Sequence, residues 1–174
     1  EMIEMKFTFT CGHVEDVRVT SKDHMLEMKE YAASSKCSTC TKIDLAAAPR
    51  KEQLTLPQLA GSEKQVTWAE QIRGKVVQQR EAVLEKMQSV KPTGILLEGK
   101  AYLAGYIAHQ LDKYIETETS AATWIDTFKT LTSQFAKHPD WANVIGGMIQ
   151  RSGLFGLDMD DINFLHFVAK EGSK

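Results

Sequence analysis

An unbroken apolar stripe from Val66 to Met87 commits the middle of this chain to one long helix. Val66, Ala69, Ile72, Val76, Val83, Leu84 and Met87 recur three or four residues apart, the spacing that puts side chains on one helix face. Gly61-Ser62 and Gln65 mark the start: the Ser62 hydroxyl accepts the Gln65 amide while the Gln65 side chain reaches back, a capping box. Lys91-Pro92-Thr93-Gly94 stops the helix, because proline has no amide to donate, and the chain then turns through Leu97. At ~1.5 Å per residue the rod is roughly 40 Å long. It cannot bury its stripe alone, so the remaining elements must pack along it. Lys64, Arg73, Lys75, Arg80 and Lys86, interleaved with Glu63, Glu70, Glu81 and Glu85, are expected on its solvated side. Trp68 stands off the stripe by part of a turn, and its bulk predicts a core contact with another element.

Shorter amphipathic segments follow. Tyr102, Ala104, Ile107, Ala108, Leu111, Tyr114 and Ile115 describe a second helix over 98–115. A third starts at Ser120 as N-cap and sends Trp124, Ile125, Phe128, Leu131 and Phe135 toward the core. Pro139 opens a fourth through Trp141, Ile145 and Ile149. Arg151-Ser152-Gly153-Leu154-Phe155-Gly156 breaks that helix, and a last one runs over 160–170. Asp158, Asp160 and Asp161 sit where carboxylates favour a helix N-terminus rather than a metal. Gly146-Gly147 permits close helix packing or a bend. His109, His138 and His166 lie far apart, without the spacing of ligands or of a general base.

The first 40 residues hold all three cysteines. Phe7-Thr8-Phe9-Thr10 and Val14, Val17 and Val19 favour strands on either side of Cys11-Gly12-His13. A helix from Ser21 to about Ala33, with Met25, Met28 and Ala32 on one face, delivers the chain to Cys37-Ser38-Thr39-Cys40. An odd cysteine count with one Cys-x-x-Cys favours metal over disulfide. Zn2+ takes four thiolate or imidazole ligands at tetrahedral corners, and Cys11, His13, Cys37 and Cys40 supply four. His24 is the alternative fourth ligand. A redox Cys-x-x-Cys needs a thioredoxin-like βαβ setting, which is missing. Catalytic zinc keeps one position open; four protein donors close the shell, so the expected role is structural. The fold class is therefore α+β and mostly α. A zinc-ribbon-like β-hairpin module with a helix occupies 1–48, a linker bracketed by Pro49 and Pro57 spans 49–61, and a bundle of about five helices fills 62–174.

Charge narrows the function. The 174 residues are 43% hydrophobic and 25% charged, with a formal net charge of -2. A protein that binds by neutralising phosphates usually shows a basic domain, so direct nucleic-acid binding is not expected, and an acidic DNA mimic needs a far larger excess. No apolar run reaches the ~20 residues of a membrane span, so no membrane partner and a cytoplasmic location are expected. No nucleophile elbow, paired-carboxylate motif or nucleotide fingerprint stands out, and the chain is expected not to be an enzyme.

Leu59-x-Gly61-Ser62-Glu63-Lys64-Gln65-x-x-Trp68-Ala69-Glu70-x-Ile72-Arg73, after a Cys-rich ribbon, resembles a block found in small proteins of phages and other mobile elements. Ala121-Ala122-Thr123-Trp124-Ile125-Asp126 resembles a second block of that group, although Thr127-Phe128 stand where a basic residue is expected. With the ribbon, these blocks cover about half the chain. The whole pattern is similar to zinc-containing type II anti-CRISPR proteins, which inhibit Cas9. That resemblance implies inhibition by binding to Cas9 or its guide-RNA complex, without turnover. A chain this near neutral is expected to dock on a protein surface rather than imitate the DNA duplex. A phage accessory protein that binds nucleic acid through the ribbon, with Lys6, Arg18, Lys22, Lys36 and Lys42, is the alternative.

Overall fold

In the computed structural model, which describes residues 2–94 and 97–174, alternation at the N-terminus produces a hairpin. β1 (Ile3–Thr8) pairs antiparallel with β2 (Val14–Val19), in a register that sets Met5 against Val17 and Phe7 against Glu15. Successive side chains on a strand face opposite ways, and Met5, Phe7, Val17 and Val19 form the inward set with Phe9 beyond the strand. Helix α1 (Lys22–Ser34), capped by Ser21, covers that face with Ala32, Met25 and Met28. Helix α2 (Ser38–Ala47) follows directly and buries none of its side chains. It carries no apolar stripe, which is why periodicity did not reveal it.

The chain divides into two compact units, Glu1–Leu45 and Ala46–Lys174. The second is built on α3 (Glu63–Ser89), which opens on the expected capping box: Gln65 N–H donates to Ser62 Oγ at 3.2 Å and Ser62 N–H to Gln65 Oε1 at 3.0 Å. Its stripe packs against α4 (Leu103–Thr117), α5 (Ala121–Phe128), α6 (Asp140–Gln150) and α7 (Met159–Glu171). Tyr114, Trp124, Phe128 and Phe155 form the aromatic centre of this core, with Tyr114 stacked on Phe155 at 4.3 Å. The Trp124 indole N–H donates to Glu118 O, so the largest buried side chain leaves no polar atom unmet. The architecture is thus α+β and predominantly helical. Of the turn expected at 94–97, Ile95 and Leu96 lie outside the described residues.

Four expectations require correction. Arg73 and Arg80 are buried, not solvated. Arg73 donates to Pro57 O at 2.6 Å, and Arg80 grips Asp112 through Nε and Nη2 at 2.8 and 3.0 Å. Trp68 is 41% exposed instead of core, because its indole N–H reaches sideways to Thr132 Oγ1 at 2.9 Å. Phe135 is 80% exposed, since α5 ends at Phe128 and a 3-10 turn, Lys129–Thr132, redirects the chain before it. The second helix starts at Leu103 rather than near 98, after a turn over 97–102.

Residues 49–61 belong to the second unit. Arg50 donates to both Asp112 oxygens, at 2.9 and 3.0 Å, and to Glu81 at 3.0 Å, while Lys51 pairs with Glu116. Ala60 then joins the start of α5 through Ala60 N–H to Thr119 O (2.7 Å) and Ala121 N–H to Ala60 O (2.9 Å).

Adjacent glycines in α6 give a contrasting pair. A Cβ on Gly147 would lie 2.6 Å from the Phe128 ring and from Thr127 O, whereas one on Gly146 meets nothing within 4 Å. Gly147→Ala should therefore destabilise by about 1–3 kcal/mol through overpacking. Gly146→Ala should stabilise by roughly 0.5–1 kcal/mol by removing backbone freedom from the unfolded chain. Urea denaturation of both variants measures the two signs.

Candidate metal centre

Two turns carry the donors. The hairpin connection holds Cys11 and His13 on either side of Gly12, whose φ of +85° lies in the left-handed region that glycine adopts without strain. Phe9 closes this turn: its N–H donates to His13 O, and its carbonyl accepts Gly12 N–H, both at 2.9 Å. Thr10 N–H donates to Ser35 O at 3.0 Å, tying the connection to the end of α1, just ahead of Cys37. Cys37 precedes α2, and Cys40 lies in its first turn.

These elements bring Cys11, His13, Cys37 and Cys40 together, with one donor atom from each within 4.8 Å of all the others. His13 Nδ1 is 3.2 Å from Cys40 Sγ and 3.6 Å from Cys37 Sγ. Metal–sulfur bonds of about 2.3 Å and metal–nitrogen bonds of about 2.0–2.1 Å require tetrahedral edges of roughly 3.5–3.8 Å. The cluster is close to that size, so it can hold a metal ion. Backbone amides support the sulfurs: Cys37 N–H donates to Cys11 Sγ at 3.3 Å, and Cys40 N–H to Cys37 Sγ at 3.4 Å. His24 is not in the group. Its Nδ1 accepts Thr20 N–H at 3.2 Å, next to the cap of α1.

The thiols perturb one another in opposite directions. The Cys37 amide, followed by contacts with His13, holds Cys11 down at about 6. Hydrogen bonding with Cys37, then burial and Cys11, push Cys40 up to about 11. Three sulfurs this close resist full ionisation, because each added negative charge repels the others. A divalent cation held by Cys11, Cys37 and Cys40 with His13 would remove that repulsion and let the three sulfurs ligate as thiolates.

Glu15 completes the site and was not anticipated. Its Oε1 accepts Ser38 N–H at 3.2 Å and Ser38 Oγ–H at 2.8 Å, fixing the Cys-x-x-Cys turn to β2. The signal was its register: Glu15 alternates with Val17 and Val19, a carboxylate in an inward-facing row. Of the other candidates, Asp158 and Asp161 form the capping box of α7. His109 binds Ala48 O at 2.9 Å. No helix among the described residues is long and apolar enough to cross a membrane. No family model, curated protein or solved structure matches the chain.

Proposed function

We propose that the chain acts by binding, as a type II anti-CRISPR protein that docks on Cas9 or its guide-RNA complex and blocks target DNA loading or cleavage. In this reading a structural Zn2+ is held by Cys11, His13, Cys37 and Cys40. The donor geometry carries the metal assignment: three sulfurs and one imidazole nitrogen within 4.8 Å suit zinc chemistry, and four protein ligands leave no position for a reacting water. The ion then holds the fold and does no chemistry.

The inhibitor reading rests on the two sequence blocks, and their arrangement supports treating them as one feature. Leu59–Gly61 and the Ser120–Ala121 start of α5 meet through the isolated parallel bridge Ala60–Ser120. A Cβ on Gly61 would lie 3.0 Å from the Ala121 methyl. Ala69, Ile72, Ala121 and Trp124 are buried, so much of each block is scaffold. Lys64, Thr67, Trp68 and Gln71 remain outside, on one side of α3, and are the candidates for contact. In the first unit, Lys6 is paired with Asp16 and Lys36 with Asp44, which weakens a phosphate-binding role for the ribbon.

A Cas9 cleavage assay across several orthologs, with the protein added before or after guide RNA and before or after target DNA, tests this reading. Inhibition of at least one ortholog is expected, and its dependence on order of addition identifies the blocked step. Full cleavage by every ortholog at molar excess of the protein would refute it.

A further inference from the structure

The hairpin leaves one edge of β1 open. Phe9 N–H donates to His13 O, in phase with the register that sets Phe7 against Glu15 and Met5 against Val17. Backbone groups alternate in direction along an antiparallel strand. Ile3, Met5 and Phe7 therefore turn theirs toward β2, and Glu4, Lys6 and Thr8 turn theirs away. Thr10 shares that outward phase, and its N–H duly leaves the hairpin for Ser35 O. From Glu4 to Thr8, among the described residues, no backbone group outside the hairpin bonds to β1. Proline or a bulge commonly blunts such an edge. β1 has neither, since its register runs unbroken from Ile3 to Thr8. Apolar surface adjoins it: Met2 and Ile3 are exposed, and a groove of about 340 Å³ runs past Ile3, Met5, Val19 and Met25.

The charges on this edge match those of a second copy. A two-fold axis at Met5 sets Glu4 opposite Lys6 of the other copy, Lys6 opposite its Glu4, and Ile3 opposite its Phe7. Glu4 and Lys6 both face outward, so each such pair exchanges two backbone hydrogen bonds. Within the hairpin Asp16 already lies across from Lys6, 3.0 Å from its Nζ, and Arg18 lies across from Glu4. Joining two copies extends these into rows of Asp16, Lys6, Glu4 and Arg18 that alternate in sign across the sheet. Sliding the register by two residues would oppose Glu4 to Glu4 or Lys6 to Lys6, and like charges directly opposite are destabilising. Sliding it by one would turn the apolar row outward. The outer edge of β2 fits a copy of itself less well. Its inward row carries Glu15, committed to Ser38, and pairing about Val17 would set that carboxylate against Val19. Space also permits the β1 pairing: a helix ~10–12 Å wide covers about two strands spaced ~4.8 Å apart, so two α1 helices fit side by side.

We infer that β1 is a homodimerisation edge, at which two copies pair antiparallel about Met5 into one four-stranded sheet with both α1 helices on the same face. A lone two-stranded hairpin is marginal in water, and the added strands reinforce it. The inference concerns the first unit alone and does not rest on the inhibitor reading.

Sedimentation equilibrium of the zinc-loaded full chain is the test. A patch of this size supports weak association, so loading should span about 1–500 μM. The mass should rise with concentration from 19.5 kDa toward twice that value. Glu4→Lys and Lys6→Glu should each weaken self-association roughly tenfold, because both pairs then oppose like charges. An equimolar mixture of the two variants restores opposite charges at both pairs and should associate like the parent. Lys6→Pro removes an amide that points away from β2, so it should keep the parent's melting curve and lose the dimer. Lys6→Gln keeps that amide and should retain the dimer within a few fold. Should Lys6→Pro disturb folding, the mixture of charge variants still decides. A chain that is monomeric at every loading overturns the inference and leaves the edge to a strand of another protein. A dimer that survives Lys6→Pro, or charge variants that mix without rescue, overturns it as well.

Discussion

Stripping the metal should unfold Glu1–Leu45 and leave the helical unit folded. The first unit is short, and its core comprises five buried residues, Phe7, Phe9, Val19, Ala32 and Cys37, the last of them a candidate metal donor. Chains of this size rarely bury enough apolar surface to offset backbone ordering without a metal or disulfides. Its cysteines are free. Structural zinc contributes on the order of 10–16 kcal/mol of apparent binding free energy in zinc-finger peptides, and there binding energy is folding energy. Chelation, or Cys37→Ser, should therefore abolish the hairpin and α1 together. Limited proteolysis should then cut between the N-terminus and Leu45, while α3 to α7 stay protected. His13→Cys keeps four zinc ligands and should keep the unit folded. A metal-free parent that resists cleavage throughout would show that the first unit needs no ion.

The second large effect concerns Asp112, which no sequence pattern picked out. Its carboxylate lies on α4 between Arg50 and Arg80, and the Arg80 side chain also donates to Lys51 O and Glu52 O. The same three residues thus fasten residues 50–52 to α3 and α4. Asp112→Ala leaves two largely buried guanidinium groups without their anion, and such half-removed pairs cost about 3–5 kcal/mol. A fall in melting temperature on the order of 10–20 °C follows for the helical unit. Burial alone would raise the Asp112 pKa, but hydrogen bonds from Arg80 and Arg50 outweigh it and hold the carboxyl below its ordinary value. The sign follows from linkage. The folded pKa is lower than the unfolded one, so the pair's stabilisation is complete above the unfolded value, near 4. It is lost as pH falls through the folded value. Acid titration of stability should show that loss in the parent and a flatter profile in Asp112→Ala. Equal acid sensitivity of the two proteins would mean that Asp112 carries no such share.

Local signals in the sequence were reliable where the physics is local. The Ser62–Gln65 capping box, the Ser120 cap and the apolar stripes all depend on residues within a turn or two. The four side chains that cluster as candidate metal donors were legible as two short pairs, although Glu15, which braces them, was not. What failed depended on distant partners. Arg80 reads as one more surface charge until Asp112, 32 positions later, is folded against it. Trp68 reads as core until Thr132 offers its hydroxyl at the edge. Phe135 continues the α5 period in sequence, but the 3-10 turn after Phe128 ends that period before reaching it.

X-ray absorption at the zinc edge of the purified protein tests the metal assignment most directly, because it reads ligand identity and number together. Three sulfurs at about 2.3 Å and one nitrogen at about 2.0–2.1 Å, with no further ligand, are expected for a closed structural site. A shell of fewer sulfurs completed by a water oxygen would contradict that assignment. It would open the position that catalysis requires.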